Sequence, residues 1–388
     1  MFNQNPVFIP GPTNIPEVIR NAYNIPTVDH RSGAFEGIIQ PALAGVKKIL
    51  KTEAGEVVIF PGSGTLGWEA AISNTLSAGD KVLAAAQGMF SEKWIEMCNR
   101  HGLDVQVHEV AWGEACPVDK YAETLKADTN HEIKAVLVTH NETATGVLSD
   151  VAAVRRAMDD AGHPALLFVD GVSSIGSMDF RMDEWGVDIA IAGSQKGFML
   201  PTGLAIVGVS QKAIAVMDDA DLPRFYYDIR EMLAALKVSG YPYTPVVGLL
   251  NGLAKSTEIL LDEGLDNVFA RHHRIAEGVR TAVRAWGLEI CAVDESTYSN
   301  SVTAILVPEG FDATALVNHA SSKYHVSFGG GLGKVAGKVF RIGHLGSITD
   351  VMVLSGIATA EMAMVDLGLP ITLGSGVAAA QEYYRTTA

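Results

Sequence analysis

The chain carries 388 residues, with 44 Asp and Glu against 29 Lys and Arg, a formal net charge of −15. At roughly 150 residues per domain this allows two or three domains and a large core, and 48% hydrophobic with 19% charged residues is not the composition of a disordered chain. The acidic balance argues against a nucleic-acid binder, which needs a basic face for phosphates, and leaves open small anions gripped by local arginines.

From about residue 40 to 210, short apolar runs alternate with amphipathic stretches. Residues 56–60 (EVVIF), 81–85 (KVLAA), 135–139 (AVLVT), 165–170 (ALLFVD), 188–192 (DIAIA) and 204–209 (LAIVGV) read as buried strands. Their near-continuous apolar character fits a mainly parallel sheet covered on both faces. Between them 65–76, 90–101 and 150–161 have helical spacing, the last opening on Asp150, a residue suited to an N-cap. This alternation defines a doubly wound α/β fold. After Val209 come helical pieces over 211–240, a rigid turn at Tyr241-Pro-Tyr-Thr-Pro245, and one long helical segment over 246–286. Strands over 301–307 and 338–342, with helices over 312–322 and 350–366, then describe a smaller α+β unit. The expected division is a large domain over 21–250 and a small one over 251–388 that takes in residues 1–20.

Cys98, Cys116 and Cys291 are an odd set without metal-ligand spacing, so neither a disulfide framework nor a metal centre is expected. No apolar run reaches about 18 residues, so no membrane span is expected. The opening MFNQNPVFIPGPTNIP lacks the regions of a signal peptide, and the expected location is cytoplasmic.

Pro61-Gly-Ser-Gly-Thr-Leu-Gly67 follows a strand and opens a helix, where backbone amides and the helix dipole favour an anion. It also fits a dinucleotide fingerprint, but the next strand ends in Ala84-Ala-Ala-Gln-Gly88, without the acid that would hold a ribose. A phosphate cup and a structural glycine turn both remain open. Asp170 ends an apolar strand, where ligands gather in α/β sheets, or it caps the loop that follows. Lys196, in Gly193-Ser-Gln-Lys-Gly197, directly follows another strand. Solvated, it is an ordinary surface cation; desolvated, its lowered pKa makes it a nucleophilic amine able to form an imine. Cup, strand-end acid and amine, in that order, match the needs of pyridoxal 5′-phosphate: a phosphate holder, a partner for the ring nitrogen, and an amine for the aldehyde.

With these motifs the chain resembles the class V, fold-type I aminotransferases that use glyoxylate. The resemblance runs over essentially the whole chain. It includes Phe8-Ile-Pro-Gly-Pro-Thr-Asn14, Thr139-His-Asn-Glu-Thr-Ala-Thr-Gly146, Val169-Asp-Gly-Val-Ser-Ser174, Gly193-Ser-Gln-Lys196 and Val339-Phe-Arg-Ile-Gly343. It implies a mainly parallel seven-stranded sheet sandwiched by helices, with a smaller α+β C-terminal domain. It further implies that Lys196 carries the cofactor and moves the substrate proton, and that Asp170 pairs with the ring nitrogen. Ser63, Gly64, Thr65 and Gln195 would hold the phosphate, Thr143 would meet the ring oxygen, Val172 would share that shell, and Phe90 would stack on the ring where several relatives have Trp. Tyr241 and Thr244 match positions that reach the phosphate from a neighbouring subunit, implying a homodimer with shared sites. Arg341 matches the arginine that grips the substrate α-carboxylate, a group that a guanidinium fork suits; on sequence alone it is equally a rim arginine.

Donor choice is expected from the loops around residues 10–14, Gly11 among them, and at Asp29-His-Arg-Ser32, with the partner chain; there His30 and Arg31 could enter the partner's site and Arg31 meet a side-chain carboxylate, a solvated loop arginine being the alternative. The expected reaction moves an amino group from an L-amino acid to glyoxylate, with aspartate the first donor, serine the second, and alanine the alternative. A cysteine desulfurase, a nicotinamide oxidoreductase and a non-catalytic binding protein are the rivals. Gly329-Gly-Gly-Leu-Gly333 reads as a flexible turn near the site mouth.

Overall fold

Apolar β-branched runs bounded by turns form the strands of a seven-stranded sheet in the computed structural model, which describes residues 7–387. Its order is Glu56–Gly62, Gly203–Val209, Ile189–Gly193, Leu166–Asp170, Ile133–Thr139, Lys81–Ala86 and Asp104–Glu109. Gly203–Val209 is antiparallel to both neighbours, and the remaining adjacent pairs are parallel. Six strands therefore point their carboxyl ends at one edge, where α/β sheets bind ligands. The central strands Leu166–Asp170 and Ile189–Gly193 are buried along their whole length. Helices Gly64–Thr75, Met89–Arg100 and Val151–Asp160 lie close to the expected spans, and Asp150 caps the last by accepting from the Ala153 amide at 2.8 Å.

Three sequence expectations give way. Asp104–Glu109 is an edge strand that sequence reading passed over, because DVQVHE alternates exposed and half-buried residues instead of forming a buried run. The single long helix over 246–286 is two helices, Val247–Glu263 and Leu265–Ala285, broken at Gly264 with φ +83°. The glycine run at 329–333 is not a free turn: Ser327–Gly330 is a strand, antiparallel to Val339–Gly343 and parallel to Val7–Phe8. Its glycine permits close approach, since a Cβ on Gly329 would stand 3.0 Å from Pro10 and 3.1 Å from Arg341.

These strands belong to a five-stranded sheet ordered Val7–Phe8, Ser327–Gly330, Val339–Gly343, Val302–Leu306 and Glu289–Ile290. One hydrophobic cluster runs from Ile19 to Val268 around the large sheet. A second joins Phe8 to residues between Ile275 and Tyr384. The C-terminal helix Ser375–Thr386, absent from the sequence reading, locks onto Leu265–Ala285 where Gly278 leaves room for the Tyr384 ring. Residues 1–6 and 388, part of the expected small domain, lie outside the described residues.

Candidate active site

Each strand of the carboxyl edge delivers its chemistry where it stops. Leu166–Asp170 ends on a buried carboxylate whose Oδ1 accepts the Val172 amide at 2.9 Å. Burial raises the Asp170 carboxyl to about 6, against that amide, the nearby Trp68 indole and the positive Lys196. Beyond Ile189–Gly193 the chain turns sharply, with the Lys196 amide donating to the Gly193 carbonyl at 3.3 Å and the Met199 amide to the Lys196 carbonyl at 3.0 Å. Gly197 permits this turn, for a Cβ there would lie 2.2 Å from the Ile175 carbonyl oxygen. The Lys196 side chain is drawn inside. Burial, with Arg341 adding repulsion and Asp170 opposing it, lowers its amine to about 8.

A roof comes from the amino-terminal segment. Lys196 Nζ donates to the Pro10 carbonyl. Gly11, at φ +100°, passes so close that a Cβ would stand 2.4 Å from Lys196 Cδ. Thr13 fixes the segment, its amide donating to the Gln195 carbonyl at 3.2 Å and its hydroxyl to the Lys196 carbonyl at 3.3 Å.

Ser63 precedes helix Gly64–Thr75 in extended backbone, and its hydroxyl makes no capping bond. Gly64 is forced by Val172, whose methyl would sit 2.4 Å from any Cβ. Thr65 is exposed at the same helix start, and the buried Gln195 Oε1 has no protein partner. Unspent hydroxyls, helix-start amides and an orphaned side-chain oxygen form a polar cradle suited to a phosphate.

Thr143 donates to Ser173 Oγ at 3.0 Å, and Asn141 Nδ2 donates to the same oxygen at 2.8 Å, binding two strand ends together. Arg341 lies buried on Val339–Gly343. Its Nε donates to the Gly330 carbonyl at 2.9 Å and Nη1 to the Thr143 carbonyl at 3.1 Å; among the described residues no acceptor meets Nη2. Half-buried Phe90 opens helix Met89–Arg100, its amide donating to Glu142 Oε2 at 3.0 Å. Burial raises the Glu142 carboxyl to about 7. Sequence reasoning brought residues 10–14 to the site for donor choice but missed that the Pro10 carbonyl and Thr13 hold Lys196, and it missed Glu142. The only available signal for Glu142 was an acid set among small residues in 139–146.

Four expected residues stand apart within one chain. Tyr241 donates to the Ile59 carbonyl and stands edge-on to Phe35, with ring centres 6.3 Å apart. Thr244 and Arg31 are exposed, and His30 is partly so. The Arg31 amide donates to Asp29 Oδ1 at 2.9 Å. Among the described residues none of the four bonds to Ser63, Asp170 or Lys196. A separate open cavity of about 950 Å³, lined by His140, Trp185 and Phe269 among others, contains none of the expected site residues.

The rivals find little chemistry here. Burial pushes the Cys291 thiol up to about 11, the reverse of what a sulfur nucleophile needs. Gln87, following Lys81–Ala86, is an amide committed through Nε2 to Ser149 Oγ at 3.0 Å, and the nearby carboxylate of Glu142 is spent on the amides of Phe90 and Ser91 instead of standing free for a ribose.

A doubly wound sheet with a buried lysine and aspartate at its carboxyl edge defines a fold-type I aminotransferase, and the chain belongs to the class V aminotransferases, whose family model matches residues 16–328. It is 68% identical over 387 residues to the L-aspartate–glyoxylate aminotransferase of Paracoccus denitrificans (strain Pd 1222), spanning 100% of this chain and 98% of that one. It is 55% identical to the serine–glyoxylate aminotransferase of Hyphomicrobium methylovorum, across 98% and 95% of the two chains. The crystal structure of pyridoxamine–pyruvate aminotransferase from Mesorhizobium loti matches with a TM-score of 0.92 at 29% identity, covering 100% of this chain and 99% of that one. No helix among the described residues is long and apolar enough to cross a membrane.

Proposed function

We propose that this aminotransferase uses pyridoxal 5′-phosphate to transfer the amino group of L-aspartate to glyoxylate, giving oxaloacetate and glycine, with L-serine as second donor. One observation carries the reading: the Lys196 amine sits at the sheet's carboxyl edge under Pro10 and Gly11, just past the strand Ile189–Gly193 that pairs with the one ending on Asp170. The identities to glyoxylate-using relatives support the acceptor and rank the donors.

The donor set fits the cofactor. Ser63, Thr65, Gln195 and the Gly64 amide would hold the phosphate, Phe90 and Val172 would border the ring, and Thr143 would meet its oxygen. Bound there, the cofactor supplies a carbonyl for the amino group and a ring that accepts the electrons released at the substrate α-carbon. Asp170, whose carboxyl burial raises to about 6 and which is mainly ionised at neutral pH, would be the partner that keeps the ring nitrogen protonated. Lys196, whose amine burial lowers to about 8, would take the proton from the substrate α-carbon and later return it. Arg341 receives the α-carboxylate on the open side of its fork. Glyoxylate has no side chain to recognise, so donor choice falls to the loop at Gly11 and to Arg31.

The working unit of this proposal is a cytoplasmic homodimer in which Tyr241, Thr244, His30 and Arg31 complete the partner's site. Each protomer has domains 21–250 and 251–388, with 1–20 joined to the second. The test is a donor screen with glyoxylate, following glycine. Purified protein should be yellow, and borohydride should fix a pyridoxyl group on Lys196. A colourless protein that binds NADH, or a yellow one that makes no glycine from any donor, overturns the reading.

A further inference from the structure

The helix Met89–Arg100, which carries Phe90, starts at Gly88, a residue with no side chain to cap it. Its cap comes from another element. Glu142 reaches across from the short strand Asn141–Glu142, and its Oε2 accepts the amides of Phe90 at 3.0 Å and Ser91 at 3.1 Å. Its Oε1 accepts the Ala144 amide at 3.1 Å. A carboxylate at a helix start satisfies orphan donors and complements the helix dipole. Glu142 is fully buried, 0% exposed, and its path exists because residue 88 is glycine: a Cβ there would stand 2.2 Å from Glu142 Cγ. The next residue, Thr143, gives its carbonyl to Arg341 Nη1 at 3.1 Å. One turn thus touches the ring-stacking residue on one side and the carboxylate-gripping arginine on the other.

We propose that Glu142 is a positioning residue that ties the aromatic seat at Phe90 to the carboxylate grip at Arg341, so that the two are set as a unit. The inference rests on the aminotransferase reading for the roles of Phe90 and Arg341. The Glu142 carboxylate is spent on protein amides, and its charge also acts on the Arg341 guanidinium. It acts by fixing where the Phe90 backbone starts and where the Thr143 carbonyl points.

Glu142→Gln keeps the size and turns one acceptor into a donor facing amides. Gly88→Ala keeps the carboxylate and evicts it sterically, at a backbone φ of 174° that any residue adopts. Both variants should lower kcat/KM by about 10²-fold, the penalty of an ångström-scale misplacement, with KM rising for amino donor and glyoxylate alike. In the apoprotein, amide hydrogen exchange should quicken at residues 90, 91 and 144. It should stay unchanged at Gly376 and Val377, which are capped in the same manner by the distant Glu361 at 2.6 and 3.1 Å. Added to Phe90→Ala, Glu142→Gln should cost clearly less than its own loss of about 10²-fold, because one of the two arms it sets is already gone. The proposal is overturned if the two losses multiply, if KM for both substrates stays at the wild-type value, or if exchange at residues 90 and 91 is unaltered. Exchange in the apoprotein is readable whatever the wild-type reaction proves to be, so failure of the proposal is separable from failure of the activity reading.

Discussion

Replacing Lys196 by Met should make the cofactor-free protein more stable at neutral pH while abolishing transamination. Folding takes the Lys196 amine from its ordinary 10.5 down to about 8, and such a displacement corresponds to about 3 kcal/mol. The amine releases its proton more readily in the folded chain than in the unfolded one. Below about pH 8 folding therefore bears the whole penalty of burying a charge; between 8 and 10.5 the penalty fades, and above that it is gone. Methionine fills a similar volume without the charge. It leaves the Pro10 carbonyl unpaired, which gives back about 1 kcal/mol, so the net gain is about 2 kcal/mol. Thermal unfolding of both apoproteins should show a higher midpoint for Lys196→Met at pH 7, a gap that narrows above pH 8, and a reversal in favour of wild type by about 1 kcal/mol near pH 10.5, where only the unpaired Pro10 carbonyl is left. A midpoint equal to or below wild type at pH 7, or a gap that ignores pH, would refute the idea that the lysine is held desolvated against its preference.

Gly11→Ala should fold, because the atoms it meets are the flexible end of Lys196, but at φ +100° it should lose about 1–3 kcal/mol and most activity; wild-type turnover would show that the roof over the lysine is slack. Arg341→Lys exchanges a fork for a point charge, and KM for amino donor and glyoxylate should both rise by about 10-fold or more; a change confined to one substrate would place the shared carboxylate elsewhere. Arg31→Ala should cut turnover of aspartate far more than that of alanine in steady-state assays, and equal losses would remove Arg31 from donor recognition.

Much of this architecture was legible because burial on both faces leaves a plain mark. Runs such as ALLFVD have no reason to alternate, and they located the central strands and, at their ends, Asp170 and the turn before Lys196. The edge strand Asp104–Glu109 escaped because its outer side faces solvent and its side chains alternate weakly. The break at Gly264 escaped because an amphipathic pattern runs through both helices and only a backbone angle separates them. Pro10 acts through its carbonyl, a group every residue possesses, so no residue type announces it. Glu142 serves amides 52 residues away, and such pairing is decided by strand order. Tyr241 and Arg31 are a different case: their expected partners belong to a second subunit, and one chain presents them to its own core or to water.

The pairing of Val7–Phe8 with Ser327 and Phe328 has a bearing on how the enzyme is born. Val7–Phe8 can settle as a strand only once Ser327 and Phe328 exist, so the segment that Thr13 pins beside Lys196 gains its second anchor late. A chain that stops short of Ser327 therefore lacks the strand that holds the front of this segment, and the cover over the reactive amine depends on a stretch made long after the lysine itself.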